Sequence, residues 1–321
     1  MAHQVETMAY ANEVPWHGLG NRVDACVSVD DMLVAAGLNW TVEPRQLFTV
    51  DGNGKQIALG KRKALVRDTD DKVLSVIGNN WKPLQNRNAL EFFREYSEAG
   101  DITLETAGAL KGGRVVWGLA NMKTGFFVNN GKDAVKGYML LISPHEPGQA
   151  IQIRFTMVRV VCANTLAAAM AGGSSHVFRL HHTTEFTVDK AREAVGLSKE
   201  ALGQAEIDSQ ALMQLKMSEF DTVRFLAKFF TNVKTPTDAD VKSMMDNDNK
   251  ERPKALVQVL DSVKNGPGAI PGTGWGVING ITHWADHVAG KAGDYRLTKS
   301  WLGENARMKA SAYKELLEMA A

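Results

Sequence analysis

The apolar residues of this chain change period at Val188. Before that point they fall in short, strand-length runs such as QIALGKRKALVRD, RVVWGLANM and AIQIRFTMVRVV. After it, VDKAREAVGLSKEALGQAEIDSQALMQLKMSEFDTVRFLAKFFTN reads as a long helical run; strands do not extend so far. The spacing of the early runs fits an antiparallel sheet better than βαβ units. The expected class is therefore α+β. Residues 1–187 form an antiparallel β-rich module with a short helix, and residues 188–321 form a mainly helical region that packs or self-associates. At 321 residues the chain can bury a sizeable core without cross-links.

Local signals place the elements. VDDMLVAAGL predicts a helix over 29–38 that ends at Gly37. RQLFTV and QIALGKRKALVRD flank Asp51-Gly52-Asn53-Gly54, a hairpin signal, and the Asp68–Asp71 turn leads into KVLSVIG. NRNALEFFREYSEAG predicts an amphipathic helix over 86–100. ITLETAGAL, RVVWGLANM, GYMLLIS and AIQIRFTMVRVV are the next strands. NTLAAAMA then reads as a short helix closed by Gly172-Gly173, so IRFTMVRVVCANTLAAAM is a strand running into a helix. SSHVFRLHHTTEF is the last strand, and WGVINGITHWADHVAG and ENARMKASAYKELLEMAA are two closing helices.

Several classes are excluded early. The two cysteines, Cys26 and Cys162, belong to no CxxC pair or Cys/His ladder, so neither a structural zinc nor another metal is expected. A reducing, cytoplasmic setting follows from the same usage. No stretch reaches the ~18 apolar residues of a spanning helix, and the first residues, with Glu6 and Glu13, lack a signal-peptide core. No membrane partner is expected. PWHGLG at 15–20 is not GxGxxG, and no GK[ST] follows it, so no cofactor is expected. Trp16 and His17 in that stretch read either as a pair that stacks on a base or, the favoured reading, as an N-terminal arm against the sheet.

Net charge is +1, so any electrostatic argument rests on distribution. From Pro147 through Thr184 there is no Asp or Glu, while Arg154, Arg159, Arg179, His176, His181 and His182 are present. Thr106–Gly131 lacks acid too, and carries Lys111, Arg114 and Lys123. Lys55–Arg67 repeats the pattern with Lys61, Arg62 and Lys63. Burial alone would remove Lys and Arg as well as Asp and Glu. A sorted excess of one sign is what phosphate backbones bind. Strand alternation puts Arg179 and His181 on one face, and Arg154 and Arg159 on opposite faces unless a bulge intervenes. Trp81, in GNNWKPLQN, and Trp117 are the aromatics placed to stack on a base.

The remaining chemistry has simpler readings. Cys162 lies among Val160, Val161, Ala163 and Leu166 and reads as a buried, inert thiol. Asn164 reads as a helix cap. Adjacent His181 and His182 point oppositely on a strand and cannot share a metal; His176 and His182 are about 20 Å apart. Asn279, His283 and His287 form one helical stripe that lacks HExxH order and reads as packing. No catalytic residue is assigned.

MAYANEVPWHGLG, NNWKPLQN, FTMVRVVCANTLAAAM and GTGWGVINGITHWADH occur in this order across nearly the whole chain. Together they resemble the phage/plasmid-like family built on domain of unknown function 932. The resemblance implies residence on phages and plasmids and transfers no functional residue. The outline, basic strands followed by helices, is also similar to that of phage single-strand annealing proteins. The expected function is thus a non-catalytic protein that holds single-stranded DNA and anneals complementary strands, working as a homo-oligomer assembled by the helices. Its contacts would be Lys61, Arg62, Lys63, Lys111, Arg114, Arg154, Arg159, Arg179 and His181, with Trp81 or Trp117 against a base. Two alternatives stand beside it. One is a nucleic-acid-processing enzyme using His176, His181 or His182. The other is an anti-defence or regulatory protein that binds a phage or host recombination or defence protein.

Overall fold

The computed structural model describes residues 5–11, 19–24, 28–98, 101–159, 164–167, 177–184, 187–290, 299–300 and 303–321. The first elements are β1 (Val5–Ala11), β2 (Asn21–Val23), α1 (Val29–Ala35), β3 (Val42–Val50), β4 (Gln56–Arg67) and β5 (Val73–Gly78). Then come α2 (Asn86–Glu91), α3 (Arg94–Glu98), β6 (Thr103–Leu110), β7 (Val115–Val128), β8 (Asp133–Pro144) and β9 (Ile151–Arg159). β10 (Asn164–Ala167) and β11 (Val177–Leu180) end the strands. Helices α4 (Val188–Gln214), α5 (Glu219–Phe230), α6 (Asp238–Met245), α7 (Lys254–Asn265), α8 (Gly274–His283) and α9 (Glu304–Ala320) follow, with a π turn at Trp284–Val288. The class is α+β.

Two sheets form. The larger has the order β10-β9-β8-β7-β6-β1-β2, and β11 also pairs with β9. The smaller is β3-β4-β5. β1 runs parallel to β2, and the pairs β1–β6, β6–β7, β9–β10, β9–β11, β3–β4 and β4–β5 are antiparallel. By contact the chain divides into two compact units. Unit 1 is Met1–Lys123, Tyr138–Arg154 and Val177–Ser198; unit 2 is Thr124–Gly137, Phe155–His176 and Lys199–Ala321.

Two predicted elements differ. NTLAAAMA is not a helix at its start: Asn164–Ala167 is strand β10, paired antiparallel with Thr156–Arg159. The second half of β9 has open ladder groups on that side, and pairing them outweighs the helix preference of alanine. The helix expected over 86–100 is split into α2 and α3 at Phe92–Phe93. Both rings are buried there, edge to face at 4.8 Å. His181 lies just beyond β11, so strand alternation does not set its direction. Cys26, Cys162, Trp16, His17 and His176 lie outside the described residues, as do the side chains of Arg159 and Asn164.

In unit 1 the helical side packs against β7. Gly118 allows this, because a Cβ there would stand 2.9 Å from both Leu90 and Phe93. Trp117, Leu90, Phe93, Leu104, Leu65 and Ile77 are fully buried, each contributing about 2–3 kcal/mol of transfer free energy. Ser28 caps α1 by accepting from the Asp31 N–H. Arg67 ties the start of the sheet to a turn: it donates to both oxygens of Glu6 and both of Asp70, and its guanidinium lies over Trp40 at 5.2 Å.

Unit 2 is organised on α8, which is buried all round from Gly274 to Thr282. Trp275 Nε1 donates to Asp133 Oδ2 at 2.8 Å, and both residues are buried. Asn279 donates back to the Trp275 carbonyl, and His283 meets the Ser262 hydroxyl. The polar stripe is therefore packing. At the π turn, buried Asp286 takes up Lys309 of α9 at 2.7 Å, and Ser300 bonds to both. Among the described residues no helix is long and apolar enough to cross a membrane.

Candidate nucleic-acid interface

Most of the β3–β4 hairpin is exposed. Residues 52–62 are exposed, and so are 43–46 and 48–50. β5 pairs with β4 only from Arg62 to Val66, so beyond Arg62 the hairpin is a two-stranded ribbon. Its tip is fixed by Asp51, whose Oδ1 accepts the Asn53 and Lys55 amides at 2.9 Å. Register shifts between Gln46 and Phe48, where Gln46 Nε2 donates to the Leu59 carbonyl. Lys55, Lys61 and Arg62 are exposed and Lys63 is half-buried. None of the four enters an ion pair among the described residues. Arg45 is different, being held by Asp71 and Glu43.

A second basic feature lies on the larger sheet. Arg154 pairs with Val177 and Gln152 with Arg179 across β9 and β11. Cross-strand partners share a face, so Gln152, Arg154 and Arg179 project together. Arg154 is half-buried and its guanidinium donates to Gln152 Oε1. Burial, and then the neighbouring Arg179, pull Arg154 below the usual arginine range. Arg179 is exposed and has no ion pair among the described residues. Two like charges held side by side favour an anion between them.

The other expected contacts separate. Arg114 is exposed at the start of β7. Lys111 is spent on Glu146 at 3.0 Å and supplies no open cation. Trp117 is 2% exposed, so neither of its faces meets solvent and it cannot stack on a base. Trp81 is half-buried, and one face is covered by His182, with ring centroids 4.0 Å apart. His181 is exposed. Lys61, Arg62 and Lys63 lie on the small sheet, and Arg154 and Arg179 on the large one, so the basic residues do not line a single sheet.

NNWKPLQN has a structural explanation. Gln85 brackets Val42, accepting its N–H and donating to its carbonyl. Asn86 donates to the Leu38 and Trp40 carbonyls, so its Oδ1 accepts from His145 Nε2 at 2.9 Å. His182 Nδ1 donates to the Lys82 carbonyl, and Lys82 N–H donates back to the His182 carbonyl. These bonds put a proton on Nε2 of His145 and on Nδ1 of His182. His145, wholly buried, is pushed down to about 3 by burial and by His182; burial lowers His182 as well. The motif is a fastener between loops.

Residues 73–313 match the model for a domain of unknown function, DUF932. The chain belongs to the DUF932 family. No curated protein matches it, and no solved structure does. The DUF932 match includes Arg114, Arg154 and Arg179 and begins after the β3–β4 ribbon. Among the described residues of this DUF932 chain, no group of three His, Cys, Asp or Glu could hold a metal. Unit 2 carries a cleft of about 910 Å³ walled by Phe229, Phe230, Trp284 and Met308. Of the two lysines that line it, Lys228 pairs with Glu315 and Lys234 donates to the Lys228 carbonyl.

Proposed function

We propose that this DUF932 chain binds nucleic acid, holding single strands through unit 1. The observation that supports it most is the set of solvent-facing cations without carboxylate partners among the described residues: Lys55, Lys61 and Arg62 on the ribbon and Arg179 on β11. A protein of net charge +1 that leaves these cations unneutralised keeps them for an external anion. Regularly repeated phosphate is the anion that an extended set of this kind fits. Exposed Phe48 supplies an aromatic face beside them. The resemblance to phage and plasmid proteins points to recombination, with annealing of complementary strands as the activity. The helices after Val188 are then the elements that assemble copies of the chain.

Arg179→Ala should weaken binding of a labelled single-stranded oligonucleotide about three- to tenfold, alike on all sequences. It should also reduce the slope of log affinity against log salt by about 0.7. Fluorescence anisotropy across a salt series reads both. An unchanged affinity and slope would remove Arg179 from the interface.

A further inference from the structure

The ribbon is exposed on both faces, which a one-sided platform for single strands does not require. By alternation Phe48 and Val50 project from one face, with their partners Ala58 and Gln56, while Thr49 and Ile57 project from the other. Phe48 is 53% exposed, Val50 62% and Ile57 47%. From Gln56 to Lys63 the ribbon runs about 25 Å. Its open cations sit at the two ends, Lys55 at the tip and Lys61 and Arg62 at the base.

We infer that this ribbon enters a groove of duplex nucleic acid. A groove has two walls, and a two-stranded ribbon fits the major groove, which is about 12 Å wide. Both faces of the ribbon then lose solvent together. The apolar residues meet base edges and sugars, and the cations at the two ends reach phosphates of the flanking strands. Charge selects this occupant over a second copy of the ribbon, since two such ribbons would bring Lys55, Lys61, Arg62 and Lys63 against their own kind. The inference rests on the proposed nucleic-acid function and adds the double-stranded form, the product of annealing, as a ligand of its own.

The test uses the full chain, a labelled duplex of about two helical turns and the same sequence as a single strand. Val50→Ser combined with Ile57→Ser changes one exposed apolar position on each face of the ribbon and none of the cations. This variant should weaken duplex binding by about tenfold and single-strand binding by less than about twofold. Far-UV circular dichroism checks that the fold is retained. Equal weakening of both forms would make the apolar faces a general contact surface and overturn the inference. So would unchanged duplex affinity, whether or not sedimentation then shows lost self-association, the sign of a second copy on the ribbon. A wild-type chain that binds single strands but no duplex overturns the ribbon inference alone. One that binds neither form removes the proposed function with it.

Discussion

Lys309→Met should cost about 3–5 kcal/mol of stability, read as a lower urea midpoint for loss of helical signal. Lys309 is 1% exposed and Asp286 4%. The ammonium donates to Asp286 Oδ1 at 2.7 Å and to Ser300 Oγ at 2.9 Å. Deleting the cation takes the ammonium away from a carboxylate buried in the core, and that desolvation dominates the loss. Exchanging both partners, Lys309→Met with Asp286→Leu, removes the orphaned charge and should recover most of the stability. A single variant that loses less than about 1 kcal/mol would show that Asp286 finds compensation without Lys309.

Acid should destabilise the fold well before the carboxylates titrate. His145 has a folded pKa of about 3, against about 6.5 when unfolded. Below pH 6.5 the unfolded chain takes a proton that the folded chain refuses. The stability is therefore complete above pH 6.5 and is lost as pH falls toward 3, by on the order of 5 kcal/mol across that window. Burial also lowers His182 and His283, adding in the same direction. The contribution of Asp70, held down to about 2 first by its bond to Arg67, is complete at higher pH and is lost only as pH falls below the usual carboxylate range. Between pH 4 and 6.5 the slope therefore belongs mainly to histidine. His145→Gln should flatten it whatever the change at neutral pH. A slope equal to wild type would mean that His145 is not held neutral in the fold.

Period and turn chemistry made much of the fold legible. Asp51-Gly52-Asn53-Gly54 predicted the hairpin that became the ribbon, and the pattern after Val188 gave the helices. The misread at Asn164–Ala167 has a physical cause: alanine favours helix locally, but the open ladder of β9 decides, and pairing between strands cannot be read from one segment. Long-range partners also separated the expected contacts. Lys111 is taken up by Glu146, which stands just before the acid-free stretch that begins at Pro147, and Trp117 was placed in the core by its neighbours on β6 and β7. Arg154 and Arg179 share a face because of a cross-strand register that the sequence does not display. Two features were missed although a signal existed. Lys309 interrupts an apolar helical stripe that continues through Ala312, Tyr313 and Leu316. Phe48, Val50, Ile57 and Leu59 alternate with no polar face, which an outward ribbon shows as well as a buried strand.

The central claim is that unit 1 holds single-stranded nucleic acid through its open cations. Anisotropy of a labelled single-stranded oligonucleotide, titrated with the wild-type chain at about 50 mM and again at about 200 mM salt, tests it most directly. Tight binding at the lower salt, weakened at least about tenfold at the higher, is the predicted result. No binding at the lower salt, or binding indifferent to salt, would contradict it.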